Sequence, residues 1–319
     1  MSGDNSEIFR NKLLVLLDGN ALMHRAYHGM NRGFVPQYNG MPVGMVYGIA
    51  LTLMNAIQVL NPDVLVVTFD TKEKTFRHKL DENYKANRKK APDDFYPQLP
   101  LVEELFTSFN VPILKKPGFE SDDLIGTLAT NAPQDFLVKI VSGDLDFTQL
   151  VTERISLIKL AGKIEHSPEY GPAETLARYE VTPAQMIDLK AIMGDSSDNY
   201  KGVAGVGPKT AAKLIQQFGS LDHLYQQIDQ IEKESLRQKF LAEKKYVYHC
   251  QSLAKIATDV EIDFDFSQKY SLENSSAEEF LTRLNFKTLA SRFAKISSGS
   301  FSVDKKVDNS KNEEQMTLF

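Results

Sequence analysis

The sequence predicts an α/β protein in which helices cover a mostly parallel sheet. Three short apolar runs that end at turn residues predict strands at 13–17, 64–69 and 136–142. Continuous apolar runs of this length are typical of strands that are buried on both faces. Helical patterns alternate with them and predict helices at 43–60, 95–109 and 122–131. This alternation is typical of parallel strands that are joined by helical crossovers.

The second half of the chain has a different character. Strand signals fade after residue 172, and helical patterns fall at 172–180, 183–193, 208–218 and 235–256. Residues 298–314 are rich in Ser, Asn, Lys and Glu, which is typical of a segment too polar to bury a core. We therefore expect three parts, namely an α/β domain over 1–180, a helical subdomain over 181–297 and a disordered tail over 298–319.

The composition is that of an ordinary soluble globular protein, and a cytoplasmic location is expected. Hydrophobic residues make up 42% of the 319 residues and charged residues 25%, which excludes wholesale disorder and a coiled-coil rod. No apolar run approaches the roughly 20 residues that span a bilayer, and the polar, acidic start is unlike a secretory signal. The single cysteine, Cys250, cannot form an internal disulfide, which fits a reducing compartment. We expect no membrane partner.

Acidic residues at predicted strand ends and helix starts are the strongest chemical signal. They are Asp18, Asp70, Glu120, Asp122, Asp123, Asp144, Asp146, Asp195 and Asp198. The carboxyl ends of parallel strands meet at one edge of a sheet, where these carboxylates would repel one another unless cations neutralised them. No His and Cys cluster suggests zinc, so the predicted cofactor is a pair of Mg²⁺ ions about 3.5–4 Å apart, with Mn²⁺ as a substitute. Any one such Asp alone is more often a turn former or a helix cap.

Residues 72–90, called the basic segment below, carry eight Lys or Arg residues against three acidic ones. They contain few aliphatic residues, so we expect a mobile insertion above the acidic edge; a solvated helix face would also account for the charge. The chain has a net charge of −5, and the nine acidic residues alone carry more negative charge than this. Without them the net charge would be positive. The remaining surface is therefore mildly basic and suits a polyanionic substrate.

Seven strings of residues resemble the 5′-nuclease, or flap endonuclease, family, and particularly the 5′-nuclease domain of bacterial DNA polymerase I. Over roughly residues 13–290 and in the family's order they are LLDGNALMHRAYHGM at 16–30, GMPVGMVYG at 40–48, TFD at 68–70, YKANR at 84–88, GFESDDLIGTLA at 118–129, SGDLDF at 142–147 and MGDSSDNYKGVAGVGPKTAAKLI at 193–215. The resemblance implies a PIN-like sheet with a helical arch at about 72–95 and a C-terminal helix–three-turn–helix. It also implies a stand-alone hydrolase that cuts DNA or RNA primers near a 5′ end in replication and repair.

The resemblance also implies which residues bind the metal ions. One ion would be held by Asp18, Asp70, Glu120 and Asp122, and the second by Asp144, Asp146, Asp195 and Asp198, with Asp122 between the two ions and Asp123 acting through water. Lys85 and Arg88 would be catalytic, because they would contact the scissile phosphate and stabilise its developing charge.

Further residues are implied to contact DNA. Around the 5′ end these are Arg25, Tyr27, Arg77 and Tyr84. Tyr84 would stack on a base, and packing is an equal alternative for Tyr27. At the duplex they are Gly202, Gly205, Gly207, Lys209, Thr210 and Lys213, together with a K⁺ ion. Glycines in this pattern would first suggest a nucleotide-binding loop, but no predicted strand precedes them.

The last residues resemble the bacterial sliding-clamp-binding peptide through Gln315, Leu318 and Phe319; a frayed terminus is the alternative. A monomer associated with the nucleoid is expected. Two other functions compete with the nuclease, namely a PIN-type ribonuclease and a non-catalytic, structure-specific DNA-binding adaptor. The basic segment and the glycine-rich helix start argue against the first alternative. The complete carboxylate set argues against the second, since a pure binder would gain from losing these acids.

Overall fold

A six-stranded sheet forms the centre of the protein in the computed structural model, which describes residues 11–30 and 35–298. In chain order the strands are β1 (Lys12–Asp18), β2 (Gln37–Tyr38), β3 (Met41–Pro42), β4 (Val64–Thr68), β5 (Ile113–Leu114), β6 (Phe136–Ser142), β7 (Ile155–Lys159) and β8 (Glu169–Tyr170). The sheet has the order β5-β4-β1-β6-β7-β8 and is parallel except for the β7–β8 pair; β2 and β3 form a separate antiparallel hairpin. The predicted fold class is confirmed.

Twelve helices accompany the strands in the described residues. They are α1 (Gly19–Met30), α2 (Gly44–Leu60), α3 (Phe76–Leu80), α4 (Leu99–Ser108), α5 (Ser121–Asn131), α6 (Pro172–Tyr179), α7 (Met186–Met193), α8 (Pro208–Phe218), α9 (Leu221–Gln226), α10 (Glu234–Ala254), α11 (Ala277–Arg283) and α12 (Lys287–Ser297). All seven helices that the sequence predicts are present, with ends that move by a few residues. None of the helices in the described ranges has the length and apolar character needed to cross a bilayer.

The central strand β1 is apolar from Leu13 to Leu17 because both of its faces are covered. Leu14 and Leu16 point to the face that is covered by α5, whereas Val15 and Leu17 point to the face covered by α1, α2 and α4. Successive side chains of a strand alternate between faces, so a strand buried on both sides needs apolar residues at every position. Asp18 follows this apolar run as the last residue of the strand, and it lies at the carboxyl edge of the sheet.

The helices after β8 build a second core. Residues of α7, α8, α9 and α10 pack around a buried cluster that includes Ile192, Ile215 and Phe240. Pro208 occupies the first turn of α8, where its missing N–H is not needed. However, Phe280 of α11 and Phe293 of α12 are buried with the core beside α2 and α4. The end of the predicted helical subdomain, 181–297, therefore packs against α2 and α4.

The basic segment also differs from expectation. Its helical part is α3 alone, and the rest forms turns that pack on the acidic edge of the sheet instead of standing above it. The backbone N–H of Phe76 donates to the Gly118 carbonyl, and Arg77 and Tyr84 are buried. The predicted tail, 298–319, falls almost entirely outside the described residues.

Candidate functional site

Three strands deliver acidic residues to one edge of the sheet. Asp18 ends β1 and is aligned with Thr68 at the end of β4, and Asp70 and Asp144 follow β4 and β6 by two residues each. The hydroxyl of Ser142 donates to Asp18 Oδ2 at 2.6 Å, which fixes the orientation of this buried carboxylate. Asp70 and Asp144 are exposed. The edge thus combines a fixed carboxylate with two that face solvent.

The start of α5 adds two more carboxylates to the same edge. Glu120 is the N-cap residue, and the backbone N–H of Ser121 donates to Asp70 Oδ1 at 2.7 Å. Asp122 lies in the first turn of α5, and it is close enough to Asp18 and Asp144 to feel their charges. A capping box between Glu120 and Asp123 holds this helix start in place. These contacts explain why residues distant in sequence converge.

A second acidic group adjoins the first. Oxygen atoms of Asp146, Asp195 and Asp198 all lie within 4.8 Å of one another. Lys190 of α7 lies among them, with its ammonium paired to Asp146 and, at 2.7 Å, to Asp195 Oδ2. Only 6% of the Lys190 side chain is exposed, so its charge is balanced almost entirely by these two carboxylates.

The acidic edge is electrostatically strained without cations. Burial raises the pKa of Asp18 to about 6, and repulsion from Asp144 and Asp70 adds to the effect. Burial, together with repulsion from Asp144, also raises the pKa of Asp146 to about 6 despite the neighbouring Lys190. The pKa of Asp122 is raised well above its ordinary range by burial and by repulsion from Asp18, Asp144 and Asp70. Burial opposes ionisation of Asp195 too, but there Lys190 lowers the pKa to about 2.

This donor set fits hard divalent cations. It consists of carboxylates alone, which Mg²⁺ and Mn²⁺ prefer as ligands. A divalent ion would also relieve the repulsion that raises the pKa values of Asp18 and Asp122. Three cationic side chains, Lys190, Lys85 and Arg88, form ion pairs with carboxylates of this edge.

The basic segment provides two of these cations. Lys85 Nζ donates to Glu120 Oε1 at 2.8 Å, and Arg88 donates to Asp198 Oδ1 at 2.8 Å. Lys85 has a positive φ of 55°, which is uncommon for a residue with a side chain, and its N–H donates to the Asp198 carbonyl. The backbone is thus held in a strained conformation that points the ammonium at the acidic edge.

Four predicted roles do not fit the structure. Arg77 cannot reach DNA, because it is 2% exposed and pairs with Asp123 in the interior. Asp123 is fully buried and its oxygens accept from Arg77, so it is unavailable to a metal ion. Tyr84 is 3% exposed, and its single O–H lies between Glu120 and Asp198, 3.1 Å from an oxygen of each, so its ring cannot stack on a base in this conformation. Tyr27 is buried against Phe95, and packing is therefore its role.

The glycine-rich segment 194–207 makes a tight turn between α7 and α8. Gly194 and Gly202 both have positive φ and cross so closely that a Cβ on Gly202 would lie 2.4 Å from the Gly194 nitrogen. Gly205 also has positive φ, and Gly207 is the N-cap residue of α8. Lys209, Thr210 and Lys213 are exposed on the first turns of α8. The start of α8 therefore offers amides and cations to solvent, an arrangement that favours an anion. Arg25 donates to the Gly162 carbonyl at 2.8 Å, and its DNA contact stays a prediction.

Sequence reasoning missed Lys190, Ser142 and Gly194. The signal for Lys190 is a cation on a predicted helix that ends just before Asp195, five residues later. Gly194 precedes the same Asp, and glycine at the end of a helix often takes a left-handed conformation. Ser142 immediately precedes the Gly143–Asp144 turn, but nothing local points it at Asp18.

A parallel sheet with paired acidic groups at its carboxyl edge and basic side chains over them defines a class of phosphodiester hydrolase. The chain matches the family model for the 5′-3′ exonuclease N-terminal, resolvase-like domain over residues 13–180 and that for the 5′-3′ exonuclease C-terminal SAM fold over residues 181–278. The chain belongs to the 5′-3′ exonuclease family and is a nuclease.

Relatives of similar sequence agree with the family assignment. The chain is 37% identical over 281 residues to the thermostable DNA polymerase I of Thermus thermophilus and 37% identical over 291 residues to DNA polymerase I of Bacillus subtilis. These matches cover 88% and 90% of this chain but 33% of each relative, so the chain spans about a third of their length.

Two solved structures share the fold. The flap endonuclease of bacteriophage T5, in a pseudo-enzyme–product complex with DNA and metal ions, is 20% identical with a TM-score of 0.65, covering 90% of this chain and 100% of that one. The catalytic core of Rad2 in complex with DNA substrate is 17% identical with a TM-score of 0.58, covering 90% and 92%.

Proposed function

We propose that this nuclease hydrolyses DNA near a free 5′ end, as a 5′-3′ exonuclease and as an endonuclease of 5′ flaps. The observation that carries the proposal is the meeting of two adjoining carboxylate groups with Lys85 and Arg88 directly over them. The carboxylates are suitable ligands for metal ions. Once metal ions occupy them, Lys85 and Arg88 would be free to bind a phosphate.

The metal ligands would form two sets. Asp18, Asp70, Glu120 and Asp122 would hold one Mg²⁺ ion, and Asp144, Asp146, Asp195 and Asp198 the other. When bound, such a pair lowers the pKa of water and stabilises the leaving oxygen. The hydrogen bonds to Asp18 and Asp70 support this assignment, because they orient these carboxylates in advance.

The chain's own residues would place the substrate. Lys85 and Arg88 would turn from Glu120 and Asp198 to the scissile phosphate and stabilise its developing charge. Lys190 would keep Asp146 and Asp195 together before metal ions bind. The exposed Lys209 and Lys213, with the start of α8 and a K⁺ ion at the turn, would hold a phosphate of the duplex beside the cut.

The site argues against the two competing functions. In a pure DNA-binding adaptor, the burial and charge repulsion that raise the pKa values of Asp18 and Asp122 would destabilise the fold and serve no function. A ribonuclease for single strands would have no use for a duplex contact at the start of α8, which we propose the tight Gly194–Gly202 crossing supports. The double-stranded arm of the substrate is therefore part of the proposal.

The biological setting is proposed from the same reasoning. An enzyme of this kind would remove RNA primers and flaps from lagging-strand fragments, acting as a monomer at the nucleoid in the cytoplasm. Gln315, Leu318 and Phe319 lie outside the described residues; we propose that they bind the sliding clamp by inserting short apolar anchors. Polarisation of a labelled 306–319 peptide with purified clamp tests this, and no binding at high micromolar concentration would refute it.

The direct experiment is cleavage of three end-labelled substrates, a 5′ flap, a nicked duplex and an RNA-primed duplex, with Mg²⁺ and with EDTA as control. Metal-dependent release of products from the 5′ side, with 5′-phosphate ends, is expected. Cleavage in EDTA, or cleavage of single-stranded RNA in preference to all three duplexes, would contradict the proposal.

A further inference from the structure

We infer that Arg77 is a positioning residue that, with Asp123, fixes the carboxylate of Glu120 and ties it to the end of α10. The inference rests on the proposed role of Glu120 as a metal ligand. It replaces the contact with DNA that the sequence suggested for Arg77, and it assigns a use to the most deeply buried ion pair near the site.

Every N–H group of the Arg77 guanidinium has a protein partner. One terminal nitrogen donates to Glu120 Oε2 at 3.2 Å and to Asp123 Oδ2 at 2.8 Å. The other donates to Asp123 Oδ1 at 2.8 Å and to the Lys255 carbonyl at 2.6 Å. Nε donates to the Leu253 carbonyl at 3.0 Å. A guanidinium has five N–H donors, so none remains for a phosphate.

The oxygens of Asp123 are equally committed. Oδ1 accepts from Arg77 and from the backbone N–H of Ala257, and Oδ2 accepts from Arg77 and from the backbone N–H of Glu120. Neither Asp123 nor Arg77 has appreciable exposure to solvent. Two buried charges this well satisfied act as one rigid unit, and removal of either would leave the other unpaired.

This unit restrains Glu120 at both its backbone and its side chain. Asp123 holds the Glu120 N–H at 3.0 Å, and Arg77 holds Oε2, to which the Tyr84 hydroxyl also donates at 3.1 Å. Oε1 is left to face Lys85. One oxygen of the carboxylate is thus fixed from behind, and the other is directed at the acidic edge.

The same guanidinium reaches the helical region. α10 ends at Ala254, so the Leu253 carbonyl has no partner within the helix, and Arg77 supplies one. The Lys255 carbonyl and the Ala257 N–H extend the contact into the chain beyond α10. Glu120 is therefore joined through a single side chain to the helix that packs against α7.

Substitution of Arg77 by lysine distinguishes a positioning role from a direct contact with phosphate. A lysine retains the charge that binds a phosphate, but its ammonium has three donors on one atom and cannot reproduce the planar fork. We expect Arg77→Lys to behave like Arg77→Met. Arg283→Lys is the matched control, because Arg283 makes an exposed pair with Glu104 far from the site.

Two measurements on the full chain test the inference. The first is affinity for flap DNA in EDTA, which should stay within about threefold of wild type in both Arg77 variants. The second is Mn²⁺ affinity by calorimetry, which should fall about 10–100-fold in both variants and remain unchanged in the control. Mn²⁺ affinity restored by lysine, or a loss of DNA affinity above tenfold with normal Mn²⁺ binding, would overturn it.

Two further variants keep the test decisive. If single variants fail to fold, the double variant Arg77→Met with Asp123→Leu removes both buried charges and should fold. Weak Mn²⁺ binding by this folded variant supports positioning, and wild-type Mn²⁺ affinity overturns it. Glu120→Gln tests the proposed ligand separately: if it binds Mn²⁺ normally, the ligand assignment is wrong, and the positioning role toward a metal site is then wrong as well.

Discussion

Replacing Asp18 by asparagine is expected to stabilise the protein in the absence of metal ions. Asp18 lies at the end of the central strand, 4% exposed, with Ser142 and the Ala21 N–H donating to its two oxygens. Asparagine has nearly the same shape, and the Ser142 hydroxyl can accept from its amide. The substitution therefore removes the charge while leaving the packing intact.

The magnitude follows from the raised pKa of Asp18. A shift from 3.8 to about 6 corresponds to about 3 kcal/mol at pH values above 6. A carboxyl group whose folded-state pKa is raised favours folding at low pH, and this contribution is lost as the pH rises through about 6. For Asp18 alone, the free energy of unfolding should fall by about 1.4 kcal/mol between pH 5 and pH 7.5. Asp146 should act in the same direction.

Urea unfolding of the metal-free protein at both pH values measures this. At pH 7.5 Asp18→Asn should be more stable than wild type by up to about 3 kcal/mol and should show a smaller dependence on pH. Added Mg²⁺ should stabilise wild type and have less effect on the variant. The exposed Asp93→Asn is the control and should change stability by less than about 0.5 kcal/mol. A variant less stable than wild type at pH 7.5 would refute the reasoning.

Four other substitutions test separate parts of the site. Asp144→Ala should abolish cleavage of an end-labelled flap and leave flap binding largely intact; activity within about tenfold of wild type would rule it out as a ligand. Lys85→Ala should lower the single-turnover rate at least about 100-fold, roughly 2.7 kcal/mol in the barrier. Affinity should change much less, and a loss of affinity alone would leave Lys85 with a binding role only. Lys190→Met should destabilise the metal-free protein by up to about 3 kcal/mol in urea, because Asp146 and Asp195 lose their buried cation. Millimolar Mg²⁺ should restore much of that loss, and a variant as stable as wild type without metal would contradict this account. Gly202→Ala should weaken binding to flap duplexes at least about tenfold, because its Cβ would collide with the backbone of Gly194. Cleavage of short single strands should suffer less, and an equal loss on both substrates would indicate misfolding.

The sheet and its acidic edge were predictable because their signals are local. β1 and β4 are buried on both faces and appear in the sequence as continuous apolar runs, and β6 appears as an apolar run interrupted by Lys139; each run ends at a turn. The carboxyl ends of parallel strands must meet, and Asp18, Asp70 and Asp144 could therefore be placed together without coordinates.

The burial of Arg77 in the basic segment was not predicted, because burial of a charge depends on partners that are distant in sequence. In the sequence Arg77 is one cation among eight, and such runs are usually solvated. Its partners include the carbonyls of Leu253 and Lys255, which local patterns cannot connect to it. The packing of α11 and α12 beside α2 and α4 was not predicted for a related reason: an amphipathic helix reveals its apolar face but not the core on which that face packs.

The long separation between Arg77 and its carbonyl partners has a consequence for biosynthesis. Leu253 and Lys255 lie 176 and 178 residues further along the chain. Chains are made from the amino end at about 5–20 residues per second, so the carboxylates of the sheet leave the ribosome several seconds before the end of α10 does. During that interval Glu120 lacks the contact through Arg77 to the end of α10. Asp146 likewise lacks its ion pair with Lys190 until α7 has been synthesised. The nascent protein thus carries its acidic residues without the contacts that order them. The ability to cut nucleic acid should therefore appear only after α10 has left the ribosome.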